Sequence, residues 1–333
     1  MRVPPRRPPL TICFARLGIR RIAVVRAGMW LALAAFASSL SCGGGKDATG
    51  PIPALDLSKS TLSVASGPYI SGQQYSATFA AKDQNGNIYA TTVDAQFSLT
   101  GGASNGTFAA VTSNGSGGYA TTFTATTAGS ASTLNVIVGG ASIPASQRPS
   151  VTVVPGAVSA AQSAVTAATA SAAIGAAVTL TLTARDAAGN SLTTGGLAVV
   201  FTKGAGTSDG TLSATTDNGN GTYSATFTAT VIGSARTIGA TIGGVAVSSA
   251  LPAITVLPGP VSLAQSVVSV SATSAPSGAA VTLTLTARDA AGNALTTGGL
   301  VVVFNKTAGT SDGTIVAPMM RAVPTVVAVN VAV

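Results

Sequence analysis

The chain has 333 residues, a formal net charge of +8, and only 8% charged residues, against about 25% in an average soluble domain. It contains no His, and all nine of its acids are Asp. That composition excludes Ser–His–Asp and Cys–His catalysis and any His-containing zinc site, and it removes two of the three usual general acids and bases.

The charge is localised. Residues 1–28 hold seven Arg and no acid, so the remaining ten basic residues face nine acids. A nucleic-acid surface needs Lys and Arg clustered on the folded part, so no nucleic-acid partner is expected. An apolar run, Met29–Leu40, follows the arginines. It is too short to span a bilayer, which takes about 20 helical residues. Basic flank, short apolar core and small residues together predict a secretory signal over residues 1–41. Cys13 falls inside that leader. Cys42, followed by Gly43, Gly44 and Gly45, resembles the lipid-modified cysteine of a bacterial lipoprotein. That resemblance implies lipidation at Cys42, a membrane partner through the anchor, and sorting to the outer membrane, with residues 42–53 as a flexible tether. Cleavage after Ala35-Phe36-Ala37 is the competing route and gives a soluble secreted protein. On either route the mature chain has no disulfide, and hydrophobic cores must hold it together.

Internal repetition organises the rest. Residues 175–196 read GAAVTLTLTARDAAGNSLTTGG, and residues 278–299 repeat this with one change, Ser191 against Ala294. A diverged copy starts at Gly72. Asn114-Gly-Ser-Gly-Gly-Tyr119 matches Asn218-Gly-Asn-Gly-Thr-Tyr223, and Val151–Gly156 matches Ile254–Gly259. The spacing is the length of an independent domain, not of a solenoid repeat. Domains are therefore expected at residues 54–156 and 157–259, with a partial one at 260–315 and an aberrant tail at 316–333. Pro155-Gly156 and Pro258-Gly259-Pro260 read as short stiff links, which predicts a semi-rigid rod.

Within a repeat the pattern is β. Val178, Leu180, Leu182 and Ala184 alternate with Thr179, Thr181, Thr183 and Arg185, and Tyr223, Ala225, Phe227 and Ala229 alternate with Ser224, Thr226 and Thr228. One face is apolar and the other hydroxylated, as a half-buried strand requires. Turns are expected at Asp186–Asn190, Thr194–Gly196, Asp209-Gly210 and Asn218-Gly219. Ala157–Ala173 is Ala-rich, but its counterpart Val261–Pro276 is rich in Val, Ser and Thr, so it reads as a first strand. Short strands with frequent turns over about 100 residues predict an all-β chain of two-sheet sandwiches.

The alternating strand, the Asp-x-x-Gly-Asn turn and the Asn-Gly-x-Gly-Thr-Tyr-x-x-x-Phe strand together resemble the bacterial Ig-like repeats of the invasin and intimin type, with a filamin-like pattern. The resemblance covers about residues 54–315. It implies tandem immunoglobulin-like β-sandwich domains with a structural or adhesive role at the cell surface, without catalysis or cofactor, and a surface protein or glycan as partner.

Asp83, Asp186 and Asp289 sit at equivalent turn positions. Their expected role is to accept backbone N–H groups two residues on. A calcium site joined by Asp209 or Asp217 is the sharper reading, but calcium takes 6–8 oxygens and the carboxylates are scattered. No other metal is expected. Tyr119 and Tyr223 open a strand after a Gly turn, as in a tyrosine corner. An alternative function, an accessory polysaccharide-binding module of a larger secreted protein, would use Tyr69 and Tyr89 as exposed aromatics.

The third repeat follows the second as far as Ile315 and then departs from it. The Tyr-bearing strand and its partner are absent from the sequence. A truncated or frame-shifted repeat is expected, with Thr325–Val333 as a substitute strand in the competing reading.

Overall fold

A computed structural model describes residues 53–307, 309 and 312–316, and the backbone of 326–332. The leader, Cys13, Cys42 and the Gly43–Gly45 tether lie outside the described residues.

The second repeat shows the architecture most clearly. One sheet has the order Ala164–Ala167, Ala177–Thr183, Thr222–Val231, Asp209–Leu212, with Thr216–Asp217 also on Thr222–Val231. The other runs Ser171–Ala173, Ala253–Leu257, Arg236–Ile242, Val199–Lys203. The first strand is divided between them. Ala164–Ala167 pairs antiparallel in one sheet, and Ser171–Ala173 pairs parallel with Ala253–Leu257 in the other. The Ala-rich opening therefore stitches both layers together, and it is strand, not helix. The first repeat repeats this plan, with Tyr69–Ile70 parallel to Val153–Val154. Among the described residues the one helical turn is the 3-10 segment Ala145–Gln147.

Period-two alternation explains the layers. Leu180 and Leu182 are fully buried, as are Tyr223, Ala225 and Phe227 across from them. The register pairs Val178 with Phe227 and Leu182 with Tyr223. The opposite face carries hydroxyls that bond across strands, as between Ser63 and Thr78 at 2.7 Å and between Thr100 and Thr133 at 3.1 Å. Such cross-strand pairs stabilise a sheet without charge. In the first repeat the core contains a chain of rings. Tyr75 meets Tyr69 at 5.0 Å, Tyr69 meets Phe123 at 6.4 Å, and Phe123 meets Phe108 at 5.2 Å.

Asp209-Gly210 is not a turn. It lies in strand Asp209–Leu212, where the register shifts in a bulge. A Cβ on Gly210 would stand 2.5 Å from the Phe227 ring and 2.4 Å from the Thr228 carbonyl oxygen. Only glycine lets the strand pass over that ring. Gly106 does the same over Phe123.

Among the described residues the third repeat forms one sheet, in the order Val267–Val270, Ala280–Thr286, Val326–Ala332, Thr314–Ile315. The sequence left two readings of the Tyr-strand position, an empty one and a substitute strand from Thr325–Val333. Val326–Ala332 fills it: Val281 pairs with Val331 and Leu285 with Val327, where Val178 pairs with Phe227 and Leu182 with Tyr223. The alternating valines suit the same register. Among the described residues no second sheet covers this one. Leu283 and Leu285 are only half-buried, and Val301 and Val303 are 84% and 73% exposed.

Leu180→Ala should therefore lower the stability of the second repeat by about 2–5 kcal/mol, whereas Leu283→Ala should cost less than about 2 kcal/mol. Scanning calorimetry of the full chain, resolving the transitions of the repeats, would check the difference.

Candidate functional site

The three turn carboxylates have one local geometry. Asp83 Oδ1 accepts the N–H groups of Asn85 and Asn87, both at 2.9 Å. Asp186 Oδ1 accepts those of Ala188 at 3.0 Å and Asn190 at 2.9 Å. Asp289 Oδ1 accepts those of Ala291 at 3.0 Å and Asn293 at 2.9 Å. Each aspartate is buried and closes its own Asp-x-x-Gly-Asn turn.

Two of them also hold the link that precedes their domain. Asp186 Oδ2 accepts the Gly156 N–H at 2.9 Å, and Asp289 Oδ2 accepts the Gly259 N–H at 3.0 Å. The chain then bridges back to each turn, Val158 to Asp186 and Val261 to Asp289. The aspartate thus ties the link to the loop it enters. Burial opposes ionisation of Asp186. Hydrogen bonds from the Asn190 side chain, the Gly156 and Asn190 backbones and Ser71 outweigh it and hold the carboxyl below its ordinary value of 3.8. Burial likewise opposes ionisation of Asp289, and bonds from Gly259 and Asn293 bring it below the same value.

The other carboxylates point to other partners. Asp209 takes the Lys203 ammonium at 2.7 Å and the Gly210 N–H at 2.8 Å. Asp217 takes the N–H groups of Gly196 at 2.6 Å and Gly219 at 2.8 Å. Among the described residues no three His, Cys, Asp or Glu side chains gather as metal ligands. Both oxygens of Asp186 are already engaged by N–H donors, an arrangement suited to fixing a turn.

The tyrosines act as acceptors. Tyr119 Oη receives the Val93 N–H at 2.8 Å, and Tyr223 Oη receives the Leu197 N–H at 2.9 Å. Each buried ring thereby fixes a loop 26 residues upstream. The third repeat places Val327 at this register position, and valine offers no acceptor.

Tyr69 does not form an exposed platform. It is buried, because its parallel pairing with the closing strand draws it between the sheets. Tyr89 is half-buried and packs against the same core. The polysaccharide reading therefore loses its aromatic surface. One shallow cleft of about 360 Å³ is lined by Thr61, Thr78, Thr112, Ser113, Asn114 and backbone beside Tyr119, without a carboxylate or a cation.

Sequence reasoning missed two features. Ser163 Oγ donates to the Ser159 carbonyl at 2.8 Å and accepts the Arg185 N–H at 3.0 Å, and Ser60 and Ser266 repeat this. Recurrence of Ser at one repeat position was the available signal. Asn190 reaches into the preceding repeat, and nothing local in the sequence announces that.

A family model described as invasin, domain 3, matches residues 56–156 and 159–259. The chain belongs to the invasin domain 3 family. Among solved structures, this invasin-family chain is similar to FdeC, an Escherichia coli adhesin. The two are 26% identical, with a TM-score of 0.50, over 84% of this chain and 89% of that one. It is also similar to Yersinia pseudotuberculosis InvD, at 23% identity and a TM-score of 0.40 over 84% and 82% of the two chains. Invasin, a bacterial integrin-binding protein, is 18% identical with a TM-score of 0.39, over 71% and 57%. No curated protein sequence matches the chain.

Tyr223→Phe strands the Leu197 N–H and should cost about 1–3 kcal/mol, read as a lowered urea midpoint for the second repeat. Asp186 and Asp289 have depressed folded values. Their contribution is present above 3.8 and is lost as pH falls through the lower folded value. Melting temperature should drop on that acid limb, and Asp186→Asn should flatten the drop.

Proposed function

We propose that this chain is an exported, non-catalytic adhesin whose Ig-like domains, bounded at Gly156 and Gly259, present a binding surface away from the cell. The observation that carries this reading is the likeness to the adhesin FdeC, which extends over most of both chains. Three features support it. The repeats use their polar groups to hold themselves together, through serine, tyrosine and aspartate bonds to backbone. The outer faces are hydroxylated and nearly neutral, a surface suited to contact with another protein. A reaction centre would have to work without His or Glu.

In this reading residues 1–41 direct export, and Cys42 carries lipid that anchors the chain in the outer membrane. A surface protein is the partner class, by analogy with the adhesins it resembles. Secretion without lipid is the outcome if cleavage occurs at Ala35-Phe36-Ala37.

The test is display of the full chain on a non-adherent bacterium and counting of bacteria bound to cultured epithelial cells. Adherence above the parent strain, blocked by antibody to residues 54–259, is expected. Adherence equal to the parent on all cell types tried would refute the adhesive role. Labelling with radioactive fatty acid should mark the chain, and Cys42→Ser should abolish the label.

A further inference from the structure

The two junctions share the same links and the same aspartates, but their turn asparagines behave differently. At the first junction Asn190 crosses into the preceding repeat. Its amide nitrogen donates to Ser71 Oγ at 3.0 Å and to the Thr126 carbonyl at 2.8 Å. Its carbonyl oxygen accepts the Ala128 N–H at 2.9 Å. The same nitrogen also bonds Asp186 Oδ2 at 2.8 Å. One side chain thus joins both repeats and the carboxylate that holds Gly156.

At the second junction the equivalent Asn293 donates to Oδ1 and Oδ2 of Asp289, at 3.2 and 3.0 Å. These bonds stay within its own turn. The preceding repeats differ where this contact would form. Gly72 and Gly175 make the same bond, to the Ala125 and Ala229 carbonyls, which places Ile174 where Ser71 stands and Ile232 where Ala128 stands. Isoleucine has no side-chain acceptor, and both isoleucines pack against the core of the second repeat.

The link glycines give an independent sign. A Cβ on Gly156 would lie 2.6 Å from the Ser71 carbonyl oxygen, so the first link is pressed against the preceding repeat. A Cβ on Gly259 would meet nothing closer than Asp289 Cβ at 3.7 Å. The first joint is tight and the second is open, although their sequences in the link are nearly identical.

We infer that the junction between the first and second repeats is a joint locked by Asn190, and that the junction between the second and third repeats is a hinge, because Ile174 replaces the serine that the lock needs. Small polar interfaces between domains leave relative motion as the default, so a few well-placed bonds decide whether a joint is stiff. The lock is a property of the chain itself and holds whether or not the chain is adhesive.

Electron–electron distance measurements on the full chain test this. Cys13→Ser and Cys42→Ser clear the background. Spin labels at Gln96→Cys and Val200→Cys report the first joint, and labels at Val200→Cys and Val303→Cys report the second; all three positions are exposed. Asn190→Ala should roughly double the width of the first distance distribution, while Asn293→Ala should leave the second unchanged. Ser71→Ala removes one acceptor without touching the turn of the second repeat and should broaden the first distribution in the same direction. An unchanged first distribution in both Asn190→Ala and Ser71→Ala, with melting temperature retained, would overturn the lock. Equal broadening of the second distribution by Asn293→Ala would overturn the asymmetry.

Discussion

The antiparallel pairing of Ala177–Thr183 with Thr222–Val231, and its copy in the first repeat, is the constraint on which the rest depends. It brings Leu180, Leu182, Tyr223 and Phe227 onto one buried face. The opposing sheet then has a continuous apolar surface to cover, which is the ordinary logic of two-layer domains. The bulge at Gly210 and the acceptor role of Tyr223 both follow from this pair. One lets a neighbouring strand cross the Phe227 ring, and the other fixes the loop at Leu197. The third repeat keeps the pair by supplying Val326–Ala332. Among the described residues no second sheet covers it, and its Leu283 and Leu285 stay half-buried. The pair is therefore enough to form a sheet and is not enough to form a core.

Low charge and high hydroxyl content have a single physical explanation. Exposed strand faces need side chains that favour extended backbone and pair across strands, and Thr and Ser do both. Their hydroxyls also satisfy buried backbone groups at recurring positions, as Ser60, Ser163 and Ser266 do beside each turn. A chain built this way has little use for ion pairs. The Lys203–Asp209 contact is partly exposed, and such pairs contribute little.

The junctions show how small substitutions between repeats change mechanics while leaving the fold intact. Asp186 and Asp289 hold equivalent glycines with equivalent bonds. The difference lies on the preceding repeat, in Ser71 against Ile174. Isoleucine there suits the core of the second repeat and removes a polar contact from its end.

The all-β class, the inward face of the Val178–Ala184 and Tyr223–Ala229 strands and the turns at Asp83, Asp186 and Asp289 were legible in the amino-acid sequence. Period-two alternation and turn chemistry are local and need no knowledge of distant partners. Tertiary structure alone decided the burial of Tyr69, the passage of Gly210 over Phe227, and the reach of Asn190 to residues more than 60 positions away, and it decided between the two sequence readings of the tail in favour of a strand at Val326–Ala332. Each of these depends on the register between segments that only the folded sandwich brings together. Alternation states which face of a strand turns inward, and it is silent on what that face will meet.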